Sequence, residues 1–139
     1  MNESTASSIT VLMRRGVWTV SMGDTVAQVE SFFAEKGLTW APVLEGGRGS
    51  TVVGVISTSD LLHFRTQKRD ASTVPVWQLC SYKPIIVEES ASVGEVARLM
   101  VEHAIHHVVV TNREGISGVV SALDFVRTFV DRSSRSRSP

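Results

Sequence analysis

Apolar residues follow a helical period at two places in the chain, once in each half. At both places the apolar positions are spaced i, i+3, i+7, which predicts a helix with one buried face: Val26, Val29 and Phe33, and Val93, Val96 and Met100. A glutamine or glutamate follows three residues after Thr25 and after Ser92, the capping-box pattern of a helix start. Gly37 is suited to end the first helix, and Ala104 holds the corresponding place in the second.

Short β-branched runs predict strands before and after each of these helices. An extended segment precedes each helix, at residues 17–20 and 85–87, and two runs joined by a turn follow it, at 41–44 with 51–56 and at 107–111 with 116–120. A second helix then begins at Ser57 and at Ser121. Each half therefore has the predicted order β-α-β-β-α, which makes the fold class α/β, more narrowly α+β.

The two halves are copies of one pattern. Residues 54–62 match residues 118–126 at an offset of 64, and residues 25–29 match 92–96 at an offset of 67. The Gly-rich stretch at 45–50, which we interpret as a hairpin turn, absorbs the difference. A single half has one sheet face uncovered, so the two copies are expected to share a core.

The repeat divides the chain into five segments. We predict a flexible N-terminus at 1–8, a first repeat at 9–64, a polar surface linker at 65–74, a second repeat at 75–130, and a disordered basic tail at 131–139. The tail is rich in Arg and Ser and lacks apolar residues at its end. A segment without apolar side chains cannot form a packed core.

Composition narrows the possible partners and compartment. The 139 residues carry 14 basic and 14 acidic side chains, so the net charge of zero argues against nucleic acid and membrane surfaces as partners. The charge is uneven, because the four arginines from Arg127 onward outnumber Asp131 and leave a mildly acidic body. A single cysteine, Cys80, excludes an internal disulfide, and no signal peptide or spanning segment is evident. We expect a cytoplasmic protein.

Each half carries a Ser-x-x-Asp motif where its hairpin meets its second helix, Ser57 with Asp60 and Ser121 with Asp124. The structural interpretation is a capping box, which satisfies the first N–H groups of the helix. The functional interpretation uses the same geometry, because a helix start attracts phosphate and a carboxylate can accept both hydroxyls of a ribose. Both interpretations stay open from the residues alone.

The tandem of β-α-β-β-α units, each with Gly-hydrophobic-x-Ser-x-x-Asp at its last strand, resembles the cystathionine-β-synthase (CBS) domain pair, or Bateman module. The paired motifs at 54–60 and 118–124 carry this resemblance, which covers residues 9–130. It implies a pseudo-twofold pair with two clefts between the halves for adenosine-type ligands: AMP, ADP, ATP or S-adenosylmethionine. It also implies a homodimer and an effector protein as partners, and a regulatory role without catalysis.

The resemblance also implies which residues line the two clefts, with the motif of one half facing the walls of the other. One cleft would comprise Gly16, Val17, Leu38, Thr39, Val119, Ser121 and Asp124. The second would comprise Val55, Ser57, Asp60, Lys83, Pro84, Ile105 and His106. His106 or His107 is a candidate for phosphate contact when protonated, with a neutral histidine at a strand start as the equal alternative.

No catalytic group emerges from the sequence. Cys80 has no basic partner in sequence and is expected to be a small buried residue, and a metal site at His103, His106 and His107 is disfavoured because the predicted helix ends before His106. We expect no enzyme activity, no required cofactor and no metal. The leading function is a stand-alone adenosine-ligand sensor that signals to a partner protein. The alternative is a ligand-free dimerisation scaffold.

Overall fold

The computed structural model describes residues 6–46, 51–82 and 85–137, with the backbone alone for 132–137. The chain divides into two compact units, one formed by Met1–Val17 with Ile85–Pro139 and the other by Trp18–Pro84. Within the described residues, each unit contains one three-stranded sheet and two α-helices. The predicted β-α-β-β-α order is confirmed in both halves.

The unit 18–84 contains β1 (Val20–Ser21), α1 (Val26–Lys36), β2 (Trp40–Leu44), β3 (Val52–Ser57) and α2 (Thr58–Arg65). Strand β1 pairs parallel with β2 because a helix connects them, and β2 pairs antiparallel with β3 through the hairpin. The predicted apolar face of α1 is buried against the sheet together with Ala41, Val43 and Ile56. A short 3-10 helix, Val76–Gln78, adds Val76 to this core.

The second unit repeats this arrangement with β4 (Ile86–Glu88), α3 (Val93–His103), β5 (His107–Asn112), β6 (Gly115–Ser121) and α4 (Ala122–Arg137). Strand β4 is parallel to β5, and β5 is antiparallel to β6. Its core contains Val96 and Met100 of α3, the inward residues of β5 and β6, and Ile9 from a 3-10 helix at Ile9–Val11.

Both predicted capping boxes are present. The Thr25 side chain accepts a hydrogen bond from the Gln28 N–H at 3.2 Å, and the Gln28 side chain accepts one from the Thr25 N–H at 2.8 Å. Ser92 and Glu95 form the same reciprocal pair at the start of α3. Satisfying these N–H groups fixes where each helix begins.

The stretch that leads into each sequence repeat, residues 7–14 and 74–81, is here named its opening segment, and it packs in the unit built mainly from the other repeat. The Ser7 carbonyl accepts the N–H of Val93 at 2.9 Å, and the Val74 carbonyl accepts the N–H of Val26 at the same distance. Each opening segment thereby satisfies the first N–H group of a helix whose own repeat lies elsewhere in the chain. The compact units consequently do not coincide with the repeats that the sequence defines.

Described residues near both ends of the chain take part in hydrogen bonds or helix. The Ser8 hydroxyl, in the segment predicted as flexible, donates to the Glu89 carbonyl at 2.6 Å. Helix α4 continues to Arg137, whereas the sequence predicts a disordered tail from 131. The described part of that tail contains no glycine or proline, and its arginines are compatible with helix. Ser138 and Pro139 lie outside the described residues.

The predicted linker also contributes to the fold. Arg65 is the last residue of α2 and forms two 2.7 Å hydrogen bonds to the Glu30 carboxylate, while Val74 is buried in the core. These contacts attach both ends of the segment to its unit.

In the part of the chain that the structure describes, no helix is long and apolar enough to cross a membrane.

Candidate functional site

The first Ser-x-x-Asp motif lies where β3 passes into α2. The Asp60 Oδ2 atom accepts hydrogen bonds from the Ser57 N–H at 2.8 Å and from the Ser57 hydroxyl at 3.0 Å. The Asp60 N–H in turn donates to the Ser57 Oγ at 3.3 Å. All of these carboxylate contacts use Oδ2, and among the described residues no ion pair to Asp60 is formed. The cap therefore leaves the Oδ1 atom of Asp60 unused.

The second motif has the same cap and additional charge contacts. The Asp124 Oδ2 atom accepts the Ser121 N–H at 2.8 Å and the Ser121 hydroxyl at 3.1 Å. Its Oδ1 atom lies 3.0 Å from the Nε of Arg14 and 3.7 Å from a guanidinium nitrogen of Arg127. Asp124 is buried, with 7% of its surface exposed. Both of its oxygens are therefore already engaged.

Main-chain pairing joins each motif strand to an opening segment. Arg14 and Val119 exchange two hydrogen bonds, at 2.9 and 3.1 Å, and Ser81 and Val55 exchange two at 2.9 Å. The N–H and carbonyl of both predicted valines are consequently occupied by protein. At Val55 and Val119 the N–H group is thereby closed to a ligand, whereas the carbonyl oxygen keeps a second lone pair.

The glycines that recur in the two repeats are explained by this pairing. A β-carbon on Gly118 would lie 2.8 Å from the Arg14 carbonyl oxygen, and one on Gly54 would overlap the Ser81 carbonyl. The sequence left two reasons open for these glycines, close approach to a ligand and strand geometry. In the structure the backbone that approaches is the protein's own opening segment.

The remaining predicted wall residues occupy loops and strand starts. Gly16 is exposed with a φ of +69°, and Val17 is the last residue of the segment that joins the second unit. The Thr39 carbonyl accepts the N–H of Thr58 at the start of α2. Leu38 lines a groove of about 410 Å³ between α1 and α2. Thr39 thus lies beside the Ser57 motif of its own unit.

The wall residues of the other predicted cleft follow the same pattern. The His106 carbonyl accepts the N–H of Ala122 at 2.9 Å, which places His106 beside the Ser121 motif. Ile105 lines a groove of about 280 Å³ between α3 and α4. Lys83 and Pro84 lie outside the described residues. The assignment of all these residues to ligand clefts stays a prediction.

The two adjacent histidines differ in environment. His106 is exposed, whereas His107 is half-buried at the start of β5. Burial lowers the pKa of His107, the neighbouring His106 lowers it further, and Asp124 opposes the shift. This environment favours the neutral form of His107. Among the described residues, no cluster of three potential metal ligands occurs.

Cys80 is buried in the core of the unit 18–84, as predicted. Burial raises the pKa of its thiol, and the negative charge of Asp60 contributes in the same direction. The thiol is therefore kept protonated and unreactive, as expected for a structural cysteine.

Sequence reasoning missed Arg14 and Arg127. Arg127 follows Asp124 by three residues on a helix, a spacing that could have indicated the contact. Arg14 lies 110 residues from Asp124 in sequence, and no local pattern points to their pairing. Only the docking of the opening segment on β6 brings the two side chains together.

Comparison with known proteins assigns the fold to a family. The family model described as "CBS domain" matches residues 6–66 and 76–131. The uncharacterized protein YlbB of Bacillus subtilis is 32% identical over 76 residues, which cover 55% of this chain and 51% of YlbB. The aligned segment thus spans about half the length of that relative. The chain belongs to the CBS-domain family and contains a pair of these domains.

Solved structures support the same assignment of fold. A putative signal-transduction protein with CBS domains from Burkholderia ambifaria superposes with a TM-score of 0.77 at 24% identity, covering 90% of this chain and 95% of that one. The CBS domain pair of protein MJ0100, in complex with 5′-methylthioadenosine and S-adenosyl-L-methionine, gives a TM-score of 0.78 at 16% identity. That match covers 91% of this chain and 98% of the MJ0100 chain. These likenesses show that the chain has the fold of a CBS domain pair.

Proposed function

We propose that this chain binds an adenosine-type ligand at its two Ser-x-x-Asp motifs and signals its occupancy to a partner protein. The observation that carries the proposal is the geometry at Asp60. There the Ser57 hydroxyl donates to the Asp60 carboxylate at the start of α2, and this cap does not use the Oδ1 atom of Asp60. A ribose diol supplies two donors for such a carboxylate. The ligand-bound MJ0100 pair supports the ligand class at the level of the shared fold.

The ligand class consists of AMP, ADP, ATP and S-adenosylmethionine, and sensing of cellular energy state follows if the ligand is an adenine nucleotide. A ligand changes the protein only through different affinities for two conformations. We place the protein in the cytoplasm, where such ligands are abundant and the buried Cys80 stays reduced. Neither motif holds a nucleophile and base arranged for catalysis, so the proposed role is regulatory.

Thermal-shift and calorimetric titrations with adenosine, AMP, ATP and S-adenosylmethionine test the proposal. A ligand at 100 times its Kd should stabilise the protein by about 2.7 kcal/mol, which raises the Tm by several degrees. Asp60→Asn should abolish the part of the binding that depends on this motif, while Asn can still accept the cap hydrogen bond.

Matched cap variants separate binding from stability. Thr25→Ala removes the cap of α1, which has no proposed ligand role, and should lower stability without changing affinity. Ser57→Ala removes the corresponding hydroxyl at α2 and should lower both the stability of the protein and its affinity for the ligand. Equal ligand affinity in Ser57→Ala, Asp60→Asn and the wild type would reject the ribose role of this motif.

A second candidate function is a dimerisation scaffold without ligand. Two observations favour it: both motifs are complete capping boxes by themselves, and equivalent grooves lie between the helices of each unit. Beside these grooves Leu62 is 69% and Val101 81% exposed. Exposed apolar side chains at a groove are suited to an interface that a second copy of the chain covers with the same surface.

Light scattering distinguishes the candidates when combined with the titrations. We expect a dimer that Leu62→Glu or Val101→Glu weakens by at least tenfold, whereas Val11→Glu, at an exposed residue that lines neither groove, leaves it intact. A ligand-independent dimer that gives no thermal shift at millimolar ligand would establish the scaffold and reject the sensor. A monomer that binds ligand would retain the sensor and reject the homodimer.

A further inference from the structure

The two motifs present different chemistry to a ligand. At Asp124 the carboxylate oxygen that the cap does not use is 3.0 Å from the Arg14 Nε, and Arg127 lies behind it at 3.7 Å. At Asp60 the corresponding oxygen has no ion-pair partner among the residues that the structure describes. A ribose diol can therefore bind Asp60 directly, but it must compete with a guanidinium for Asp124.

The difference originates in two sequence positions. Ser81 holds the place of Arg14 in the repeat alignment and makes the same main-chain pairing, to Val55 instead of Val119. His63 holds the place of Arg127. The main-chain pairing is thus the same in both units, while the residues at these two positions change from serine and histidine to two arginines.

We propose that Arg14 makes the Asp124 motif selective for phosphate-bearing nucleotides, whereas the Asp60 motif accepts the ribose with or without a phosphate. This inference rests on the proposed function. When a ribose occupies Asp124, the Arg14 guanidinium must leave Oδ1. A phosphate on the same ligand gives the released guanidinium a new anionic partner, and an uncharged nucleoside does not.

Burial and exposure make this exchange feasible. The Asp124 side chain is 8% exposed, whereas those of Arg14 and Arg127 are 55% and 53% exposed. The guanidinium groups can therefore turn towards solvent while the pairing with Val119 holds the Arg14 backbone. Arg14 and Asp124 form an ion pair, whereas a ribose hydroxyl hydrogen-bonds to the carboxylate without a positive charge, so ribose hydroxyls alone replace the guanidinium at a loss. Arginine regains this loss on phosphate, which it binds through two parallel N–H groups.

Single-motif variants isolate each site. In Asp124→Asn only the Asp60 motif remains, and calorimetry should give Kd values for adenosine and AMP within about threefold of each other. In Asp60→Asn only the Asp124 motif remains, and AMP should bind at least tenfold more tightly than adenosine. Adding Arg14→Gln to Asp60→Asn should reduce this AMP-to-adenosine preference to below threefold, with adenosine binding more tightly than before.

Arg15→Gln in the same Asp60→Asn background is the matched control, because it removes an equal charge from the neighbouring exposed residue. It should preserve the preference for AMP. If Asp60→Asn unfolds, the stoichiometry of otherwise unmutated protein provides the test. At ligand concentrations that saturate the Asp60 motif but not a tenfold weaker site, the wild type should bind one adenosine and two AMP molecules, and Arg14→Gln should bind two of each.

The outcomes separate this inference from the proposed function. An unchanged AMP-to-adenosine preference in the Arg14→Gln variant, or loss of all binding in folded Asp60→Asn, overturns the role of Arg14 and leaves a sensor that acts through Asp60. Failure of the wild type to bind any member of the panel overturns the proposed function itself.

Discussion

The carbonyl oxygen of Arg14 lies 2.8 Å from the position that a β-carbon on Gly118 would occupy. The opening segment can pair with Val119 only because residue 118 has no side chain. The same relationship holds between Ser81 and Gly54 in the other unit. These two glycines permit the exchange of opening segments between the repeats.

Replacing either glycine should weaken this pairing. Gly118→Ala and Gly54→Ala force a methyl group against main-chain atoms, and we expect each to lower the free energy of unfolding by about 1–3 kcal/mol or more. Urea denaturation measures the change. Gly23→Ala is the control, because the position that its methyl group would occupy has open space within 4 Å and the variant should change stability little. Equal effects at the three positions would contradict the close approach.

Exchanging glycine and alanine at the C-terminal ends of α1 and α3 should change the stability of the protein in opposite directions. Gly37 ends α1 with a φ of 66°, and Ala104 ends α3 with a φ of 51°, a left-handed conformation that is unfavourable for alanine. Ala104→Gly should therefore stabilise the protein by up to about 1 kcal/mol, and Gly37→Ala should destabilise it by a similar amount. Thermal denaturation of both variants tests this, and destabilisation by Ala104→Gly would show that the strain is absent.

His107 should make stability depend on pH. Because burial holds the folded-state pKa below the ordinary value of 6.5, the unfolded chain binds more protons in the window below 6.5. The free energy of unfolding should fall as the pH decreases from above 6.5 through the folded-state pKa, and this contribution becomes constant below it.

Urea denaturation midpoints between pH 8 and pH 5 measure how steeply the free energy of unfolding depends on pH. The slope should be smaller in His107→Gln than in the wild type. His103→Gln removes an exposed histidine and should leave the His107 contribution in place. Asp124→Asn should steepen it, because Asp124 raises the pKa of His107. A wild-type slope retained in His107→Gln would assign the effect to other groups.

The thiol of Cys80 should react slowly in the folded protein. Burial raises its pKa above the ordinary value of 9.0, and alkylation requires the thiolate. At pH 8 we expect iodoacetamide to modify native protein at least tenfold more slowly than protein in concentrated urea. Equal rates in native and unfolded protein would show that the thiol is accessible and not buried in the core.

Local sequence signals predicted the elements and their boundaries well. Thr25 and Ser92 begin helices as expected because a cap depends on residues within four positions. The hairpins are likewise short-range patterns, and the repeat is found by matching such local patterns between the two halves. The sequence could not predict the ordered contacts of Ser8 or the course of α4, since these depend on partners or on helix continuation that composition alone does not determine.

The sequence by itself determined the repeated β-α-β-β-α order, the capping boxes and the two Ser-x-x-Asp motifs, because each depends on residues close together in the chain. Only the tertiary structure decided that the opening segments pack on the other repeat and that Arg14 reaches Asp124, a residue 110 positions away. Such contacts form when a backbone segment docks on a glycine-containing strand, and no periodicity in the sequence encodes that pairing.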